Sequence, residues 1–325
     1  MIKYLFALLV TGISLFSASG QRSIKMIELN ERIGDFTGIV YDLCFSQSGM
    51  TLVVPEFNQI CFYDIYSKTL TKRMSGGHSK AILTIDLSID STLLVSGGLD
   101  SVIVIRDVPS GAITRRLNYH HGIITSLNLN PGRSFLASGS SDKTVIVYNL
   151  SSGKIAYTLT DFTSEITTVK FSPDGQYLAV ASQDKQIKLY DSKNGELLTN
   201  LDGHKNSVRD LCFNKGGTRL YSCGDDSRLI IWDIKNRSQI KKEIVGNLGS
   251  DWLLSVDVKM DAYVVAGLDS KISIITNFVT YFGKIGVPVN KILFVPNIGN
   301  VLKLAVATRG KGVFLIDGME FEMKN

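Results

Sequence analysis

The same strand-ending position recurs every 41 to 43 residues along most of this 325-residue chain, at Asp64, Asp107, Asn149, Asp191, Asp233, Thr276 and Asp317. The seven copies fill residues 38 to 317 without a gap. A period of this size restricts the fold more than any other feature of the chain. Each copy must be one supersecondary unit that cannot bury its apolar face alone, so the copies must stack into a single array.

Each copy has the same internal order. An alternating segment that ends in a hydrophobe comes first, as in TTVKF (167–171), RDLCF (209–213) and YDLCF (41–45). A turn follows (SPDG at 172–175, NPGR at 130–133, NKGG at 214–217), then a second short strand such as YLAVAS, FLASGS or LYSCG. A tight Asp-containing turn leads to a third alternating strand such as QIKLYD, and a polar turn (DSKNGE, 191–196) leads to a fourth, ELLTNL. Period-two alternation interrupted by Gly, Pro, Asn and Asp predicts antiparallel strands and hairpins. Four strands per unit of about 42 residues predict an all-β fold, a seven-bladed β-propeller of four-stranded antiparallel blades. Residues 24–29 (IKMIEL) precede the first blade, and little chain remains after Asp317. The ring is therefore expected to close through an N-terminal strand, Ile24 to Leu29, placed at the outer edge of blade 7, with the tail GMEFEMKN competing for that place.

The repeat resembles the WD-repeat β-propeller family. The resemblance rests on a Gly-His in the loop before the first strand, Ser or Thr in the second strand, Asp in the tight turn and Trp in the third strand. Blade 5 carries the full set as His204, Ser222, Asp226 and Trp232. Blade 3 has His120, Ser138 and Asp142 with Tyr148 in the Trp place, and blade 2 has His78, Ser96 and Asp100 with Arg106 there. Blade 4 keeps Asp184 and Tyr190, and blade 6 keeps Asp269. Blades 1 and 7 place Phe36, Phe57, Ile285 and Gly310 where His or Asp would fall. The resemblance implies that these side chains form a hydrogen-bonded row within each blade. A His, an Asp and a Ser at fixed spacing also describe a hydrolytic triad. Here the set recurs blade by blade, and burying such groups unpaired would cost about 1–3 kcal/mol each, so a structural row that fixes strand register is the expectation.

The amino terminus, MIKYLFALLVTGISLFSASGQ, has Lys3, an apolar run from Tyr4 to Phe16 and a small-residue exit. That pattern predicts a signal peptide over residues 1–20, cleaved between Gly20 and Gln21, and a periplasmic or secreted propeller over residues 21–325. The run is short for a spanning helix, and retention of the segment as a membrane anchor is the alternative. Repeats of this pattern are most familiar inside cells, and a bacterial envelope protein would reconcile the two signals. Cys44, Cys61, Cys212 and Cys223 match no zinc or redox spacing and are expected as buried thiols. Formal net charge is +5, interspersed along the chain, and the densest basic stretch, Lys235 to Lys242, reads as a guarded sheet edge rather than a nucleic-acid stripe.

No catalytic, phosphate-loop or metal-ligand string is present, so no cofactor or metal is expected. Function then falls to the loops. In the family, the loops before the first strands and the turns between second and third strands form one face that binds proteins or peptides. On it this chain would place Trp252, Tyr119, Arg209, Arg309, Lys80, Lys205, Asp225 and Gln183. Trp252 is the first choice of anchor, because Trp, Tyr and Arg are enriched at binding hot spots, while packing over blade 6 is the competing role. For Arg209 and Arg309 plain solvation competes with contact. The expected function is a non-enzymatic protein-binding platform or assembly scaffold built on a monomeric ring. The alternative is a hydrolase-like enzyme with its site in the central channel.

Overall fold

Alternation along each repeat produces strands that pair antiparallel with their neighbours in sequence, and seven sheets result, two of them each joined by a strand from the amino-terminal end. The computed structural model describes residues 25–26, 31–36, 38–234, 241–247, 251–260, 262–276, 280–296 and 301–320, and every regular element among them is a β-strand. The first strands of blades 1 to 7 are Cys44–Phe45, Ile82–Leu87, Ile124–Leu129, Ile166–Phe171, Val208–Phe213, Leu253–Lys259 and Val289–Phe294. Consecutive first strands lie side by side from blade 1 to blade 7, so they line the axis and the fourth strands form the rim. The first strand of blade 1 is shorter than the YDLCF pattern suggests, pairing only Cys44 with Val53 and Phe45 with Leu52.

The apolar faces are buried between blades. One cluster joins blades 4 and 5 through Ala179, Leu189, Leu211 and Trp232, and another closes the ring between blades 7 and 1 through Ala305, Val313, Leu52 and Tyr63. Polar groups on the first strands complete each seam. The first strand bulges after its first residue, at Ile82/Thr84, Ile124/Ser126, Val208/Asp210 and Leu253/Ser255. A bulge re-aims the next side chain. Here Thr84 accepts from the Leu127 N–H at 3.2 Å, Ser126 from Val169 at 3.1 Å, Asp210 from Val256 at 3.2 Å and Ser255 from Ile292 at 3.3 Å, each one blade onward. The Asn290 amide donates to the Val40 carbonyl at 3.0 Å across the last seam.

An N-terminal strand closes the ring, but a later one than IKMIEL. Glu31–Ile33 pairs antiparallel with the third strand of blade 7, matching Glu31 with Leu315 and Ile33 with Val313. Lys25–Met26 instead runs parallel to the outer strand of blade 6, opposite Gly283 and Lys284, as a fifth strand. The fully buried Ile33 gives the later segment its hold on the core, packing with Val313 and Leu315. Of the tail, Gly318–Glu320 continues the third strand of blade 7, and residues 321–325 fall outside the described residues. Lys241 and Lys242 lie on the outer strand of blade 5, as expected of edge lysines, and residues 235–240 fall outside the described residues. Residues 1–20 also fall outside them, and no helix among the described residues is long and apolar enough to cross a membrane. All four cysteines are free. Cys61 and Cys223 are buried and Cys44 and Cys212 half-buried on first strands, and burial pushes the Cys61 thiol up to about 12.

Candidate functional site

In every blade the first strand starts, and the second strand ends, at the same end of the sheet. The loop entering each blade therefore meets the turn between its second and third strands. In blades 2 to 7 a backbone hydrogen bond marks the meeting: Leu99 N–H to Ala81, Ser141 to Ile123, Gln183 to Glu165, Asp225 to Ser207, Leu268 to Trp252 and Arg309 to Pro288, all at 2.8–3.0 Å. These loops and turns make up one face of the ring.

Beneath this face lie the polar rows. In blade 5 the His204 Nδ1–H donates to Asp226 at 3.0 Å, and His204 Nε2 accepts from the Ser222 hydroxyl at 2.8 Å. The Trp232 indole N–H donates to the same Ser222 oxygen at 2.8 Å. His204, Ser222 and Trp232 are all buried, so the hydroxyl is held between two buried partners and has no access to a substrate. Blades 2 and 3 repeat the His–Ser and His–Asp bonds, with His78 on Ser96 (2.9 Å) and Asp100 (3.1 Å), and His120 on Ser138 (2.8 Å) and Asp142 (2.9 Å). Burial holds His78 and His120 below the ordinary imidazole value despite the adjacent carboxylates, so both rings are neutral at pH 7. Burial alone would raise Asp142, but hydrogen bonds from Thr144, the His121 N–H and His120 outweigh it and hold the carboxyl at about 2.

The rows end differently where Trp is absent. The Tyr148 hydroxyl turns away from Ser138 to the Gly153 carbonyl at 2.6 Å, leaving a small void against His120, Ser138 and Leu136. Arg106 donates to the Ser75 and Gly111 carbonyls instead of to Ser96. Blade 4, with Phe162 in the His slot, builds a different cluster: the buried Lys188 pairs with Asp161 at 2.7 Å and lies 4.6 Å from the Phe162 ring centre, and the Tyr190 hydroxyl donates to Asp161 at 2.9 Å.

Above the rows, three candidate residues come together. Arg209, at the second position of its first strand, donates from Nε and Nη2 to the two Asp225 carboxylate oxygens, both at 2.6 Å. The same guanidinium lies over the Trp252 ring, 5.1 Å from its centre. Arg209 is thus clamped and not merely solvated. Planar guanidinium suits both contacts, the fork matching the carboxylate and the flat face matching the indole. Trp252 keeps 43% of its surface exposed and so is not absorbed into blade 6. The neighbouring turn is tied down by Ser227, whose hydroxyl donates to the Asp251 carbonyl at 2.7 Å.

The other candidates are spread around the face. Tyr119 is 48% exposed with its ring 6.2 Å from that of Tyr148. Gln183 donates to Glu165 at 3.1 Å, and Lys80, Lys205 and Arg309 are exposed. One prominent residue of this face is not among the expected partner contacts: Phe57, 65% exposed in the tight turn of blade 1. Its signal was present as an aromatic ring in a slot that holds Asp in blades 2 to 6.

The carboxylates on the first strands serve the seams. Asp86 accepts from the Leu129 N–H at 2.7 Å and the Asn128 amide at 2.9 Å, Asp257 accepts from Phe294 at 2.7 Å, and Asp210 pairs with Lys291 at 2.8 Å. Burial pushes Asp86 up to about 6 and raises Asp257 as well.

A family model described as the IFT122 first beta-propeller matches residues 39–292, the greater part of the chain. No curated protein matches the chain.

Proposed function

The chain belongs to the IFT122 first beta-propeller family, of the WD-repeat type, and from that premise we propose that it is a non-enzymatic platform that holds a protein partner on its loop face. WD-type propellers generally bind protein partners. The observation that carries the reading here is the Trp252–Arg209–Asp225 cluster. An exposed indole is braced by a guanidinium that is itself held by a bidentate carboxylate. A side chain fixed before binding loses little further freedom on association, which is how a few aromatic residues come to dominate an interface. The Asp–His–Ser rows and the first-strand carboxylates are engaged inside the fold, and this favours the platform over a channel enzyme. Crosslinking followed by affinity capture from the native host tests the proposal. Trp252→Ala should weaken capture of the crosslinked partner while thermal stability stays nearly unchanged. Undiminished capture would refute Trp252 as the anchor of the face, and loss of folding would place Trp252 in the core.

We further propose that residues 1–20 direct export and are removed after Gly20, leaving a soluble ring that works as a monomer outside the cytoplasm. The charged, apolar and small-residue order of that segment supports this reading. Intact mass of the protein from its host decides it: a species beginning at Gln21 is expected, and retention of residues 1–20 would favour an anchored propeller.

A further inference from the structure

The hairpin of blade 1 is paired to its end, Glu56 opposite Gln59, so that its turn consists of only Phe57 and Asn58. Phe57 has φ +52°, whereas Asn58 is absent from the left-handed region. A two-residue hairpin with only its first turn residue left-handed follows the type II′ pattern, whose first position normally requires glycine. The left-handed turn residues of blades 2 to 6 are Ser101, Lys143, Lys185, Ser227 and Ser270. Blade 1 alone puts a bulky aromatic in such a place, and the ring stands 65% exposed instead of packing. Strained backbone and solvated apolar surface both oppose folding, and strain of this kind concentrates at functional sites.

The knob is rigidly mounted. The Phe57 carbonyl accepts the Ile82 N–H at 2.7 Å, and the Asn58 amide donates to the His78 carbonyl at 3.3 Å, fastening the turn to blade 2. Exposed Ile39, Tyr41 and Leu99 stand at the same end of blades 1 and 2. Beside them Glu56 is neutralised by Arg73 at 3.2 Å, while Lys80 is exposed. We infer that Phe57 is a preformed docking knob that enters an apolar pocket, rimmed by acidic side chains, on a folded partner protein. The inference rests on the reading that the loop face holds a partner, and it adds a second anchor on blades 1 and 2, away from Trp252 on blade 6. A convex aromatic with a cationic neighbour calls for a concave, acid-rimmed counterpart. With the turn carbonyl already bonded to blade 2, strand addition at this turn is disfavoured.

The test uses Phe57→Gly, Trp252→Ala and p-benzoylphenylalanine introduced singly at positions 57 and 252 of the full chain. Gly suits the left-handed position, so Phe57→Gly should keep or raise the melting temperature while weakening partner capture at least tenfold. Photocrosslinks from position 57 should map to a partner surface that combines apolar residues with Asp or Glu. A fall in melting temperature of more than about 5 °C would make the ring part of the fold and overturn the inference. Weakened capture by Trp252→Ala but not by Phe57→Gly would overturn it while leaving the loop-face reading intact. If neither variant weakens capture, both fail. Crosslinks from position 57 to a second copy of this chain, to a basic surface, or to nothing while position 252 crosslinks, would also overturn it.

Discussion

Replacing Ser222 by Ala tests the row of blade 5 where it is most connected. The hydroxyl is completely buried and joins two other buried groups, accepting from Trp232 Nε1 at 2.8 Å and donating to His204 Nε2 at 2.8 Å. Removing one oxygen atom leaves a small void but strands both partners without water. Each unpaired buried group costs about 1–3 kcal/mol, so Ser222→Ala should lose roughly 2–6 kcal/mol. Ser138→Ala in blade 3 provides the internal control. Tyr148 is already bonded to Gly153, so only His120 Nε2 loses its side-chain partner, and the loss should be about 1–3 kcal/mol. Urea unfolding of the two variants beside the parent protein reads the difference, which isolates the indole bond at about 1–3 kcal/mol. A double-mutant cycle of Ser222→Ala with Trp232→Phe should return a coupling energy of that size. Equal losses in blades 3 and 5, or no coupling in the cycle, would refute the claim that the row acts through its shared hydroxyl.

Tyr148→Trp should supply the missing donor to Ser138 and fill the void beside it, raising stability by about 1 kcal/mol in the same urea assay; a loss would mean that blade 3 lacks the room. Asp86 sets a pH dependence of defined sign. Its folded value, about 6, lies above the ordinary 3.8, so its favourable contribution is complete below pH 4 and is lost as pH rises through 6. That contribution is on the order of 3 kcal/mol. Asp86→Asn should flatten stability between pH 4 and 6.5, since Asn128 fills the same seam position in blade 3, accepting from Phe171 at 2.8 Å. An unchanged pH profile would show that Asp86 is not the titrating group.

The sequence made blade 5 readable because its four signature residues differ in chemistry and stand at fixed spacings, so a single match sets the register of all seven copies. The ring closure was harder to read. Outer strands are polar and short, and by composition IKMIEL is the better strand than Glu31–Ile33. The pairing of Ile33 with Val313 decides between them, and that is a contact between opposite ends of the chain. The Asp161–Lys188 pair of blade 4 has no sequence signature, because each partner looks like an ordinary surface charge until Phe162 is seen to occupy the His slot. Trp252, Arg209 and Asp225 were all named as loop-face residues, but their clamp becomes visible only when adjacent blades are set side by side. Phe57 showed as a departure from the Asp slot, while its exposure and left-handed backbone depend on the length of the hairpin turn.

Hydrogen–deuterium exchange on the purified propeller with and without its captured partner tests the central claim most directly. The platform account predicts slowed exchange in residues 202–209, 225–228 and 251–254, the loops and turns around Trp252 and Arg209. It predicts no change in the turns at the opposite end of the ring, 46–50, 88–92 and 130–134. Protection confined to those opposite turns, or to the outer strands, would contradict it.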